Sequence, residues 1–224
     1  MSGHVAAMRS IIEANTAGGE RRTTQVFQDF CALAAFEIRA AVDRASADRC
    51  RDHYLTIADG YTTAEIEHFG QALTHLVQEL DRKLSDVLGE LYMTLELGNQ
   101  RVGQYFTPYD ASLLSASVIV ADMTRTLDEL DFVTVYEPTC GAGGMIIATA
   151  DLLGRSDVNY QKAIHVTARD LELTAVHMTY IQLTLLHIPA LVIHGDTLTL
   201  DQFDVWPTPA HVLDGWNRRL CSRG

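Results

Sequence analysis

Basic residues are scarce in this chain. Seventeen Lys and Arg stand against 29 Asp and Glu, for a formal charge of −12 and a pI near 5.0. Such a chain is not built to hold nucleic acid by phosphate neutralisation alone, so a nucleic-acid role requires a basic partner or a local basic patch. There are four cysteines, Cys31, Cys50, Cys140 and Cys221, and no Cys-x-x-Cys pair. That scatter argues against a zinc site and against a disulfide scaffold, and for a reducing cytoplasm. No apolar run approaches membrane-spanning length. The N-terminus lacks the apolar run and cleavage pattern of a signal peptide, and there is no internal repeat. His68 and His75 lie two turns apart on one expected helix without a third ligand, so they read as surface or satisfied core histidines and no metal site is expected.

What is present suffices for a core. Apolar residues make up 47% of the 224 positions, which excludes disorder as the default and allows one large or two small domains. The first hundred residues read as all-helical. Met1 to Arg22 is mixed and expected to fray, with Gly18-Gly19 as a breaker. Thr24 to about Ala47 is amphipathic, with Val26, Phe27, Phe30, Leu33, Ala34 and Ile38 on one side. Tyr54 to Gly60 reads as a connection. Thr62 and Glu65 fit a capping box ahead of Ile66, Phe69, Leu73, Leu76, Val77 and Leu80. Ser85 to Leu97 is a further helix, stopped at Gly98-Asn99.

The pattern changes at Arg101, so the expected division is 1–100 and 101–224. Thr107 fits an N-cap, Pro108 the first helical position and Asp110 the capping-box acid of a helix to about Thr126. Strands follow at Phe132 to Glu137, Ala163 to Ala168 and Ala190 to His194, separated by helices. Alternation of this kind implies right-handed crossovers and a mainly parallel sheet, an α/β domain behind a helical region.

The centre of the sequence is Phe132 to Gly144. A β-rich apolar run ends in Glu137, a glycine turn follows, and then the apolar helix-former run Met145 to Leu153. Glycines allow φ > 0 and close approach of the backbone to a ligand, and the next helix aims its free N–H groups at the turn. An ordinary glycine-rich loop is the competing reading. Glu137, Asp170 and Asp196 each lie just past a strand, at the edge where open parallel sheets bind ligands. A carboxylate after the second strand suits a ribose diol, and one after the third suits an adenine amino group. A dinucleotide is disfavoured, because Gly141-Ala142-Gly143-Gly144-Met145-Ile146 lacks the third glycine of that fingerprint.

Three stretches in order, Asp86-Val87-Leu88-Gly89-Glu90-Leu91-Tyr92, Gly103-Gln104-Tyr105-Phe106-Thr107-Pro108 and Glu137-Pro138-Thr139-Cys140-Gly141-Ala142-Gly143-Gly144, closely resemble the N6-adenine DNA methyltransferases of type I restriction–modification systems. The resemblance covers roughly residues 62 to 200. It implies a Rossmann-like, S-adenosylmethionine-dependent methyltransferase core with a shortened parallel sheet, preceded by an all-helical N-terminal region. It also implies a cofactor site: Gln104, Tyr105, Phe106, Thr107 and Pro108 around the methionine part, with the helix start suited to its carboxylate. The turn Glu137, Pro138, Thr139, Cys140, Gly141 and Gly143 would follow, with Glu137 meeting the methionine amino group. Asp170 would grip the ribose, in place of the family's usual Glu, and Asp196 would face the adenine.

The resemblance stops at the base. The family presents Asn/Asp-Pro-Pro-Tyr/Phe to hydrogen-bond the adenine amino group and stack on the flipped base. No such motif occurs here. The nearest stretch is Phe203-Asp204-Val205-Trp206-Pro207-Thr208-Pro209, where Asp204 and Trp206 are weak catalytic candidates against a proline-braced tail packing on the sheet. Only three strands are visible, and residues for the second half of such a sheet, or for target recognition, are not seen. Three functions are therefore expected to compete. The first is an adenine methyltransferase that meets DNA through restriction–modification partner subunits. The second is an inactive cofactor-binding domain that regulates or mimics such a subunit, its sheet edge inviting association. The third is a methyltransferase for another substrate.

Overall fold

The structure is a computed structural model that describes residues 2–95 and 107–222. The chain divides into two compact units, Met1–Lys83 with Val87–Phe106, and Leu84–Asp86 with Thr107–Gly224.

The described part of the first unit is helical: α1 (Gly3–Ala14), α2 (Thr23–Val42), α3 (Ala47–Ala58), α4 (Thr63–Arg82) and α5 (Val87–Thr94). The N-terminus is not frayed. Ser2 caps α1 by accepting a hydrogen bond from the Val5 amide, and Val5, Met8 and Ile12 repeat at helical spacing and are fully buried, with α1 packed on α4. Gly18-Gly19 does break the chain, with φ of +69° and +104°. Helix α2 stops short of Ala47 because Asp43 bonds the Ala45 amide, a local turn that competes with the helix. Buried Arg39 ties the break by donating to Ser46 and Asp43. Tyr54 to Ala58 is helical rather than a connection; α3 is weakly apolar and buries only Cys50, so its periodicity was faint. Thr62 and Glu65 form the capping box. His68 bonds Asn15 and His75 meets His4 at 3.0 Å, so both histidines have partners. Gly98-Asn99 lies outside the described residues.

The second unit is α/β. It runs α6 (Tyr109–Leu127), β1 (Val133–Glu137), α7 (Gly144–Arg155), α8 (Tyr160–Ala163), β2 (Ile164–Asp170), α9 (Leu173–Leu185), β3 (Ala190–Gly195), β4 (Gln202–Pro207), α10 (Pro209–Leu213) and α11 (Trp216–Cys221). Pro108, not Thr107, is the N-cap of α6, and no side chain caps it. The sheet order is β1-β2-β3-β4, with the first three strands parallel and β4 antiparallel to β3. Both parallel crossovers step the same way, and right-handed paths of that kind put α7 and α9 on one face. Trp206 of β4 packs there against His177 and Tyr180 of α9. On the other face Trp216 covers Phe132 and His165.

Strand β4 corrects the expectation of a proline-braced tail. After Asp196 the chain reverses tightly, with the Asp196 amide donating to the Asp201 carbonyl and Leu200 at φ +65°, and then returns along β3. Pro207 is tolerated because it ends an edge strand, where a ladder amide is dispensable.

Candidate functional site

The carboxyl ends of β1, β2 and β3 are laced together. Gly141 and Gly143 sit at φ +55° and +90°, a region that a Cβ disfavours. At Gly143 a Cβ would also stand 3.2 Å from the Thr179 hydroxyl. Side chains hold the turn from below. Thr179 donates to the Gly141 carbonyl at 2.9 Å, and Gln182 donates both to the Ala142 carbonyl at 2.7 Å and to the Asp86 carboxylate at 2.8 Å. Asp86 is buried and crowds Gly144, where a Cβ would lie 2.9 Å from its Oδ2. The turn is therefore preset by α9 and by the short Leu84–Asp86 stretch.

Among the acids, Asp170 accepts from the Gly141 amide at 2.8 Å and, through its other oxygen, from the Glu172 amide at 3.0 Å. It thus ties the end of β2 to the glycine turn after β1 and keeps lone pairs for a ligand. Glu137 is half-buried. Its carboxyl is held above the usual carboxylate range, first by burial and then by the like charge of Asp170, with the Thr139 amide pulling the other way. Among the described residues neither Glu137 nor Asp170 forms an ion pair with a Lys or Arg. The nearby cation, Arg169, donates instead to the carbonyls of Asp196 and Asp201. Asp196 turns one oxygen, Oδ1, onto its own loop, accepting from the Leu198 and Thr199 amides. That loop joins the cluster through the Thr197 hydroxyl, which donates to the Pro138 carbonyl.

The structure thus brings Glu137, Pro138, Thr139, Cys140, Gly141, Gly143, Asp170 and the loop of Asp196 to one edge. Cys140 is buried under the turn, near the Thr179 hydroxyl, and burial pushes its thiol up. Pro108 is the N-cap of α6 and Thr107 precedes it; Gln104, Tyr105 and Phe106 lie outside the described residues. Asp204 stands opposite His194, which pairs with Asp170, so it lies at this edge but across β3 from Asp170, whereas Trp206 pairs with Val192 farther down the strand. Asp204 is half-exposed on β4 and bonds the Val205 amide, while Trp206 is 2% exposed beneath α9. Sequence reasoning missed Thr179, Gln182 and Arg169. The signal for the first two was a pair of polar residues three apart inside the buried middle of α9.

The chain is an α/β protein with a preset glycine turn, ringed by acids, at the edge where open parallel sheets bind ligands. The family model for N-6 DNA methylases matches residues 83–214, more than half of the chain, and the chain belongs to that family. No curated protein matches it.

Proposed function

We propose that this edge binds S-adenosylmethionine in a Rossmann-like core, and that the chain serves adenine-N6 methylation of DNA in the manner of a type I restriction–modification subunit, in the cytoplasm and together with partner subunits. One observation carries the reading: two half-buried acids, Glu137 and Asp170, converge on a glycine turn without a Lys or Arg ion pair among the described residues. A ligand with positive charge suits that field, and a pyrophosphate does not. S-adenosylmethionine carries an ammonium and a sulfonium, and its sulfonium supplies the methyl group. Glu137 holds the ammonium, Gly141 and Gly143 let the backbone approach, and Asp170 accepts from the ribose diol while keeping the turn in place. Asp196 is left for the adenine amino group. The acidity of the chain leaves DNA contacts to a basic partner.

Titration calorimetry tests the cofactor. Binding is expected, with at least a tenfold loss in Glu137→Gln. No binding, or equal affinity in that variant, defeats the reading. Labelled methyl transfer to adenine-containing DNA, with and without restriction–modification subunits, tests the reaction.

A second reading has its own support. Trp206 is packed against His177 and Tyr180, so its ring is not offered to a flipped base. The chain then binds the cofactor and regulates or mimics a modification subunit. It predicts calorimetric binding with no methyl transfer under either condition.

A further inference from the structure

We propose that Asp86 determines which ligands the glycine turn accepts: its buried charge favours a cationic nucleoside and rejects a phosphorylated one. The inference rests on the cofactor reading above and adds the residue that sets the sign of the ligand.

The four residues Gly141 to Gly144 lie between two carboxylates. At one end Asp170 accepts from the Gly141 amide. At the other end Asp86 stands beside Gly144, where a Cβ would lie 2.9 Å from its Oδ2. Gly144 is the first residue of α7. The start of a helix is the positive end of its dipole, and in phosphate-binding turns the anion sits there. Here a carboxylate of the chain itself flanks that end.

The hydrogen bonding of Asp86 to α9 does not call for a charge. Its Oδ1 accepts from the Gln182 side-chain amide at 2.8 Å, and an asparagine carbonyl would accept the same bond. Asp86 is 6% exposed. Burying a carboxylate costs far more than burying an amide, and the nearby helix end offsets only part of that cost. What the charge adds is its field. Away from water that field is weakly screened and reaches across the turn. It has the same sign as the fields of Glu137 and Asp170, so all three favour a cation on the turn and oppose a phosphate.

The charge is also held in a fixed place. The Tyr109 hydroxyl donates to the Leu84 carbonyl at 3.1 Å, and Leu84–Asp86 belongs to the same compact unit as the turn. Gln182 grips Asp86 and the Ala142 carbonyl with one amide group. The distance from the carboxylate to the turn is therefore set by the fold.

Titration calorimetry with three probes is the test: S-adenosylmethionine, S-adenosylhomocysteine, which lacks the sulfonium charge, and adenosine diphosphate. The parent chain should bind the first more tightly than the second and should not measurably bind the third. Asp86→Asn keeps an acceptor for Gln182 and removes the charge. It should lose about tenfold in affinity for S-adenosylmethionine, lose less for S-adenosylhomocysteine, and gain measurable binding of adenosine diphosphate. A merely structural role would lower all affinities together. Glu90→Gln makes the same change of charge on an exposed residue of α5 and should alter none of them. Should Asp86→Asn lack a folded circular dichroism spectrum, Asp86→Ser, smaller and neutral, takes its place. Tight binding of adenosine diphosphate by the parent chain overturns the proposal, as does an equal change for all probes in the variant. A parent chain that binds no S-adenosylmethionine defeats the cofactor reading. The diphosphate arm still decides the role of Asp86, and equal behaviour of parent and variant there overturns it.

Discussion

The two ends of the sheet are built to opposite rules. At the carboxyl end, loops are polar, glycines take positive φ, and Glu137 and Asp170 stand close with no Lys or Arg ion pair among the described residues. At the amino end, α10 and α11 close over the strands. Trp216 is fully buried against Phe132, and His165 bonds His211 at 2.8 Å, which in turn meets Asn217. Thr208 seals the start of β3, exchanging hydrogen bonds with Ala190. At the amino end His165, His211 and Asn217 bond in series, and Thr208 bonds the backbone at the start of β3. The polar groups of the carboxyl end are held in position by α9 and left with capacity to spare. Stability and the proposed binding thus fall to separate ends, and substitutions should separate them.

The largest effect is expected at the closed end. Trp216→Ala should cost about 3–5 kcal/mol of unfolding free energy, read by denaturant titration, while cofactor affinity in the folded fraction stays unchanged. A parallel loss of affinity would merge the two ends. Acid should act at the same place. Burial first, then the neighbouring His211 and Arg219, push the His165 imidazole down from 6.5 to about 4, and burial lowers His211 as well. Both are therefore neutral when folded, whereas the unfolded chain takes up protons below about 6.5. The stability is complete above that pH and is lost as pH falls from about 6.5 to about 4, by about 3 kcal/mol from His165 alone. Urea titrations across that window should show the slope, and His165→Gln should flatten it.

At the open end the order reverses. Gly141→Val should weaken S-adenosylmethionine binding about a hundredfold by calorimetry, because φ of +55° costs a β-branched residue on the order of 1–2 kcal/mol before the ligand is approached. The circular dichroism spectrum should remain folded. Gln182→Ala should be the mildest, costing about 1–3 kcal/mol of stability through the buried polar groups it leaves behind. It should also loosen the turn enough to reduce affinity. Full affinity in Gln182→Ala would show that the glycine turn holds its shape without α9.

Much of this division was legible beforehand. The strand, glycine turn and helix at Phe132 to Leu153 announced themselves by a change of period and by residue type, and so did the capping box at Thr62 and Glu65. The helix α1 was missed because only three of its twelve residues, Val5, Met8 and Ile12, are buried, which makes a thin stripe. The strand β4 was missed because Pro207 at its end and Pro209 just beyond read as a tail, and nothing local reveals that a tight turn at Thr197 to Asp201 folds it back onto β3. Asp86 was seen only as part of a motif. That it braces a turn more than fifty residues away depends on Gln182, and contacts of that range leave no mark on either segment.

Residue order alone determined which segments could be helix or strand, where backbone freedom was needed, and which family the chain belongs to, because those properties reside in neighbours a few positions apart. Folding in three dimensions decided the rest. It chose which acids share a field, took Trp206 into the core and spent Arg169 on carbonyls. Each of these depends on which distant groups compete for the same space and the same hydrogen bonds, and that competition exists only once the chain has closed on itself.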